Sequence, residues 1–396
     1  MVPNWVILST TAIAGHPTTT GTASDITRNG KTIEVSISLH HPPQPSTLFV
    51  HSSDMNLAIP PTIISTEDNL LLLSVNMGTS GPYSRSPNDC DFFVYRAHPT
   101  SPSLHLLRRP HPYFNGFLAG ILPRQDGHYT VAALIPTGTY NEYEIHLFHS
   151  DHDQSVSSGW SSSILNVDSP QRDFPVKIPV NSNRLHRHYT SKVMAIGGTT
   201  TMGWVDLWRG ILFCDVLDNK LSLRGVPLPL ALNELGYHHG RGFHFGPAAQ
   251  RRSISFIRDD CCLRLVHLEI NEVNLHRHDE ETGAPSFRVD NWVLTTWTNA
   301  RMSDSYEDWH QDHLLKGSDV IIDDPAVSHV LDSSGLLQRQ PDQQQLALQN
   351  LYVSQPALSL NAEEEASGSH FQAKKLRKNN YRLSSSQIYL QVRDTG

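Results

Sequence analysis

Apolar and polar residues alternate along TIEVSISL (residues 32–39), with Ile33, Val35, Ile37 and Leu39 set against Thr32, Glu34, Ser36 and Ser38. A two-residue period predicts a β-strand with one buried face. LLLLSV (70–75) is instead a continuous apolar run, the pattern of a strand buried on both faces. DFFVYRA (91–97), YTVAALI (129–135), YEIHLF (143–148), SKVMAI (191–196), SISFI (253–257), LRLVHLEI (263–270) and WVLTTW (292–297) extend the series. Their aromatic and β-branched content and the turn residues between them read as strands.

Helical patterning is sparse. DSYEDWHQDHLL (304–315) is the best segment, although Tyr306, Trp309 and Leu314 form no clean 3.6-residue stripe, so one or two turns are expected. LALQNLYV (346–353) fits helix or strand. The polar stretches 79–89 and 150–159 read as loops, and VDSPQRDFPVKIPVNSN (167–183) carries three prolines. QRQPDQQQ (338–345), AEEEASGS (362–369) and KKLRKNNYR (374–382) change the character of the chain's end.

The pattern divides the chain into a β-rich N-terminal half (1–166), a Pro-rich linker (167–190), a second β domain (191–345) and an atypical low-complexity, charged tail (346–396). The expected fold is mainly β: a propeller-like or two-lobed antiparallel assembly with few short helices and a partly disordered C-terminal tail. No self-similar motif recurs at propeller periods of about 40 to 50 residues, so no WD or kelch array is indicated.

Composition agrees with many short strands: of 396 residues 38% are hydrophobic, with 25 prolines and 24 glycines. The net charge is −8, from 31 Lys plus Arg against 39 Asp plus Glu, which argues against a protein that tracks phosphates. Four cysteines, Cys90, Cys214, Cys261 and Cys262, form neither a disulfide framework nor a zinc pattern. The start, MVPNWVILSTTAIAG, has no positive residue ahead of its apolar stretch and reads as a first strand, not a signal peptide. No apolar run approaches the ~20 residues of a membrane span. These features point to an intracellular protein of the cytoplasm or nucleus, without a membrane.

The segment with most candidate chemistry is GWVDLWRGILFCDVLDNKL (203–221). Alternation sets Trp204, Asp206 and Trp208 on one side and Val205 and Leu207 on the other. Arg209–Gly210 reads as a tight turn, ILFCDVL as a second strand, Asp218–Asn219 as a second turn and LSLR as a third strand. Trp204 and Trp208 then either pack at a sheet interface, with Asp206 held by backbone groups or Arg209, or line a patch for a sugar, peptide or flat ligand.

Histidine recurs in HRH (186–188 and 276–278), HH (238–239), HLFHSDH (146–152) and HQDH (310–313). Alternate histidines on a strand share a face and can chelate a metal. DHDQSVS (151–157) starts like a calcium loop but lacks its glycine and closing Glu. No GxSxG, P-loop, GxGxxG or HExxH occurs, and Asp259–Asp260 before Cys261–Cys262 opposes thiolate formation. No catalytic residue, cofactor or resident metal is assigned.

HYTSKVMAIGG, GWVDLWRGILFCDVL and LRGVPLPLAL, with upstream blocks such as GKTIEVSISLHHPP and downstream NWVLTTWTNARMSDSYEDWHQD, resemble a plant family best known from grasses, domain of unknown function 1618. The resemblance spans about residues 4–360, with the domain itself in the 191–345 region. It implies no established catalytic activity. Gly203, Trp204, Asp206, Trp208, Arg209, Gly210 and Asp215 form the family-like motif, read as structural. Some relatives carry an F-box ahead of this region; none is expected here. The implied function is a non-catalytic scaffold for an unidentified protein partner, with a carbohydrate-active or other β hydrolase and an HxH metal binder as the alternatives.

Overall fold

The computed structural model describes residues 6, 8–9, 11–16, 22–41, 44–57, 59–77, 89–98, 100–108, 114–139, 141–151, 159–167, 188–196, 200–229, 248–278, 285–320, 348–350, 353–357, 370–373 and 388–391. The chain forms two compact units, Met1–Asp173 with Asn183–Pro227, and Phe174–Ser182 with Leu228–Gly396.

The first unit holds four sheets of four strands. The first contains β1 (Ile13–Ala14), β2 (Thr22–Ile26), β3 (Thr32–Ser38) and β4 (Thr47–His51), in the order β1-β4-β3-β2. The second runs through β5 (Thr62–Glu67), β6 (Leu70–Asn76), β7 (Cys90–Arg96) and β8 (Ser103–Leu107), and the third through β9 (Ala119–Pro123), β10 (Tyr129–Pro136), β11 (Glu142–His149) and β12 (Trp160–Asn166). The fourth comprises β13 (Lys192–Ile196), β14 (Thr201–Asp206), β15 (Gly210–Asp215) and β16 (Leu223–Pro227). All neighbours are antiparallel except β1, which runs parallel to β4.

Three apolar clusters show how these sheets stack. Ile33, Val35, Leu48 and Val50 of the first sheet pack with Leu71, Leu73, Phe93 and Tyr95 of the second. The opposite face of the second, with Leu70, Leu72, Phe92 and Val94, meets Ile121, Val131, Ala133 and Phe148 of the third. The third turns Ala132, Leu134, Ile145 and Leu147 to Val193, Met202, Trp204 and Leu212 of the fourth. Successive residues of β6, β7 and β10 therefore serve two different cores, and a strand with two apolar neighbours loses its period-two pattern. This is the physical origin of LLLLSV. Sheets stacked in series with β5, β9 and β13 against one another at their inner edges make the unit propeller-like.

The second unit is built on a sheet of β17 (Arg252–Ile257), β18 (Cys262–His278), β19 (Pro285–Asn299) and β20 (His310–Lys316), with a further sheet of β21 (Val353–Ala357), β22 (His370–Ala373) and β23 (Ile388–Gln391). The long β18–β19 hairpin carries register shifts after Asn271 and Asn274. One short α-helix, α1 (Ala248–Arg251), precedes β17. Trp292 Nε1 donates to the Leu348 carbonyl at 2.9 Å, so a buried indole finds its acceptor in the 3₁₀ turn Leu348–Asn350.

Of the one or two helical turns expected over 304–315, one forms, as a 3₁₀ turn. This turn, Tyr306–Asp308, is capped by Ser305 Oγ accepting from Glu307 N at 3.1 Å, and β20 then pairs with β19. Without a 3.6-residue stripe a helix here would bury nothing, whereas an edge strand satisfies its backbone on β19. The 346–353 segment divides between the 3₁₀ turn and the start of β21. Most of the Pro-rich stretch 167–190, and all of the segments 338–345, 362–369 and 374–382, lie outside the described residues.

Gly120 on β9 marks where the third and fourth sheets come closest. A Cβ there would lie 2.5 Å from Val193 Cγ1 and 2.8 Å from Met202 Cε. Gly120→Ala is expected to destabilise the first unit by about 1–3 kcal/mol, the usual scale of overpacking. Chemical denaturation with intrinsic tryptophan fluorescence measures it.

Candidate functional site

The 203–221 segment folds as strand, turn and strand: β14, the turn Leu207–Arg209 and β15, with Asp206 paired opposite Gly210. Trp204 is completely buried between the third and fourth sheets, and its Nε1 donates to the Leu118 carbonyl at 2.9 Å. Gly203 admits the Phe213 ring, since a Cβ would come within 2.9 Å of Phe213 Cε1. The expectation that Trp208 shares Trp204's face is corrected: Trp208 is in the turn and half-buried. The turn also starts two residues earlier than the expected Arg209–Gly210. Gly210 opens β15 and is not among the positive-φ glycines, so the tight geometry comes from Asp206 instead.

Asp206 organises that turn. Its Oδ1 accepts from Trp208 N at 3.0 Å and Arg209 N at 3.2 Å, and its Oδ2 accepts from Tyr189 N at 2.8 Å. A carboxylate ties its own turn to the residues leading into β13. Burial pushes its pKa up, against these donors and the Arg209 guanidinium. Arg209 is itself buried. His188 is buried too, with the Tyr143 ring edge-on at 6.5 Å; burial, then the Arg209 charge, lower its pKa to about 3. Asp215 is exposed at the end of β15. Gly203, Trp204, Asp206 and Arg209 thus meet as packing and backbone support. No cleft opens on Trp204, so it offers no sugar platform.

Two hollows lie elsewhere in the first unit. One runs between β5–β7 and the 3₁₀ turn Gly116–Leu118, lined by residues that include Ile64, Phe92, Phe114 and Phe117 with Asn76 and Cys90. Phe92 and Phe114 rings stand 5.9 Å apart, and Asn115 Oδ1 caps the turn by accepting from Phe117 N at 3.2 Å. Phe117 is 53% exposed at the rim. The other is polar, with Arg96, His105, His128, Tyr129 and Ser150 in its lining. Neither lining contains Asp or Glu. Neither therefore supplies the facing carboxylates of a glycosidase.

Among the described residues the histidine pairs form no cluster of metal donors. His146 is buried on β11 and His188 lies beneath the motif turn, while His310 is exposed on β20. His186, His238 and His239 lie outside the described residues. In the calcium-like stretch, Asp151 is engaged by Arg124 through two bonds of 2.7 and 3.0 Å, and 152–157 lie outside the described residues. Among the described residues the one cluster with the donors of a metal site is His16, Glu34 and His51. Sequence spacing gave no sign of it, because the three residues come from different strands. No disulfide joins Cys90, Cys214, Cys261 and Cys262, and burial pushes the Cys214 thiol up to about 12.

Residues 204–365 match the family model described as "Protein of unknown function (DUF1618)", in agreement with the motif resemblance over that region. No curated protein matches the sequence. Among solved structures, the high-resolution structure of Penicillium chrysogenum alpha-L-arabinanase complexed with arabinobiose aligns at a TM-score of 0.28 and 10% identity, covering 98% of this chain and 83% of that one. A likeness of that degree carries no conclusion about activity.

Trp204→Ala is expected to lose about 3–5 kcal/mol, and Trp208→Ala clearly less, in equilibrium unfolding. The lowered His188 pKa has a sign that can be tested. The unfolded imidazole, near 6.5, binds a proton that the folded one refuses until about pH 3. Stability contributed by the neutral ring is therefore lost as pH falls below 6.5, by up to about 1.4 kcal/mol per pH unit. Stability measured from pH 7 to pH 4 should fall less steeply in His188→Gln than in the parent protein.

Proposed function

We propose that this chain is a non-catalytic β scaffold for protein–protein interaction inside a plant cell, and that it takes an apolar segment of a partner protein into the groove of Ile64, Phe92, Phe114 and Phe117. The observation that carries this reading is the composition of the groove. Apart from the Cys90 thiol its lining offers only apolar and uncharged polar groups, which suits recognition of an apolar side chain and supplies no acid–base pair. The exposed Phe117 ring is the kind of aromatic anchor that interfaces favour. A protein partner is preferred to nucleic acid because of the net charge of −8. Four cysteines without a disulfide support a reducing intracellular setting, and the plant assignment rests on the motif resemblance.

The test is selection of a displayed random peptide library on the purified chain. Selected peptides should share an aromatic or branched aliphatic anchor and bind Phe117→Asp about 10-fold or more weakly, since burial of such an anchor is worth about 1.5–3 kcal/mol. The melting temperature should be unchanged, because Phe117 supports no core. Peptides that bind Phe117→Asp equally well would remove the groove from the reading. Turnover of a chromogenic glycoside or ester by the parent protein would favour the hydrolase alternative.

A further inference from the structure

Three side chains from separate segments converge on the first sheet. β1 runs parallel to β4 in the register Ile13↔Phe49 and Ala14↔Val50, and Gly15 N donates to the Val50 carbonyl at 3.0 Å. This carries His16, the next residue, alongside His51 at the end of β4. Gly15 has φ +152°, a conformation that side-chain-bearing residues rarely adopt, and its Cβ direction is open. Glu34 of β3 is the direct cross-strand partner of His51. Ile33, Val35 and Val50 point into the core, so strand alternation turns Glu34 and His51 to the opposite face.

The resulting geometry is close. His16 Nδ1 lies 3.9 Å from Glu34 Oε2, and the two imidazole centroids are 3.3 Å apart at an interplanar angle of 34°. One ligand atom from each of the three residues lies within 4.8 Å of the others. A shared metal cation would give all three donors a single partner.

We propose that His16, Glu34 and His51 form a binding site for one first-row divalent cation, with Zn²⁺ the best match to two imidazoles and a carboxylate. Zinc–nitrogen and zinc–oxygen bonds of about 2.0–2.2 Å place tetrahedral donors about 3.4 Å apart. An inward shift of about 1 Å is therefore needed, and the His16 side chain, 65% exposed, is free to make it. Three protein ligands leave a fourth position for water or a small anionic ligand. The site is separate from the apolar groove and does not depend on how that groove is used. It also differs from the histidine pairs read from sequence spacing, none of whose members takes part.

The test is calorimetric titration of the chelator-stripped, full-length chain with Zn²⁺, repeated with Co²⁺ and its visible absorption. One equivalent should bind saturably. His16→Ala and Glu34→Gln should each weaken binding by about 10-fold or more, a loss seen even when only an outer partner of a metal ligand is removed. His16 is exposed and Gln is isosteric with Glu, and circular dichroism checks that both variants fold. Cys261→Ser, which removes the exposed thiol, and His310→Ala should leave the binding unchanged. Absence of saturable binding, or equal affinity in His16→Ala and Glu34→Gln, overturns the site. Loss of binding in Cys261→Ser overturns it as well.

Discussion

Two-sided burial of the middle strands is the constraint on which the first unit depends. β6, β7, β10 and β11 each present one set of side chains to the preceding sheet and the alternate set to the following one. Each such strand must be apolar at nearly every position, and its neighbours must fit within the ~10 Å spacing of packed sheets. Gly120 and Gly203 answer that demand, standing where a methyl group would collide with the facing or neighbouring side chain. Trp204 fills the last interface, between the third and fourth sheets. Its indole N–H is satisfied by a carbonyl, so its large apolar surface is buried without stranding a donor.

This constraint also explains which strands are legible. Both patterns that the sequence displays clearly, continuous apolarity in LLLLSV and alternation in TIEVSISL, belong to strands with a buried apolar face, although in the second burial fades at Ile37 and Leu39 lies exposed beyond β3. β12, WSSSILN, is an edge strand with mostly exposed residues, and β2, β8 and β9 are short. Their strand character comes from ladder bonds to a neighbour, which local composition does not encode. In the 304–315 segment one 3₁₀ turn forms, and the rest pairs as the edge strand β20 with β19, across a register shift between Thr296 and Trp297. In the motif, alternation placed Trp204 correctly on a strand and failed at Trp208, because the Asp206 carboxylate captures the backbone N–H groups of Trp208 and Arg209 and ends the strand there.

Buried polar groups hold the rest of the architecture in register. Asp206 joins the β14–β15 turn to Tyr189, ahead of β13. In the second unit, Arg252 Nε donates to His267 Nδ1 at 3.1 Å, across directly paired positions of β17 and β18, and its Nη2 donates to the Pro229 carbonyl. A one-residue slip of β17 would leave a guanidinium buried without these acceptors, so the pair penalises misregister more than it adds stability. Groups committed in this way are poor candidates for catalysis. The densest concentration of reactive residue types, 203–221, is thus the segment whose side chains are most fully occupied by packing and backbone capping.

Ligand chemistry is consequently displaced from the sheet interiors to places where stacking stops. A sheet packed on both faces has no free interior surface, so available donors occur beyond strand ends, on outer faces or beside a connecting turn. The apolar groove is bounded by the turn that leads into β9, and His16, Glu34 and His51 lie on the face of the first sheet turned away from its core. Neither location is visible as a local motif. The groove draws on residues from 59 to 117, and the cluster on three positions brought together only by the parallel β1–β4 pairing. A parallel partner at that edge is what converts Glu34 and His51, an ordinary cross-strand pair, into a three-donor arrangement.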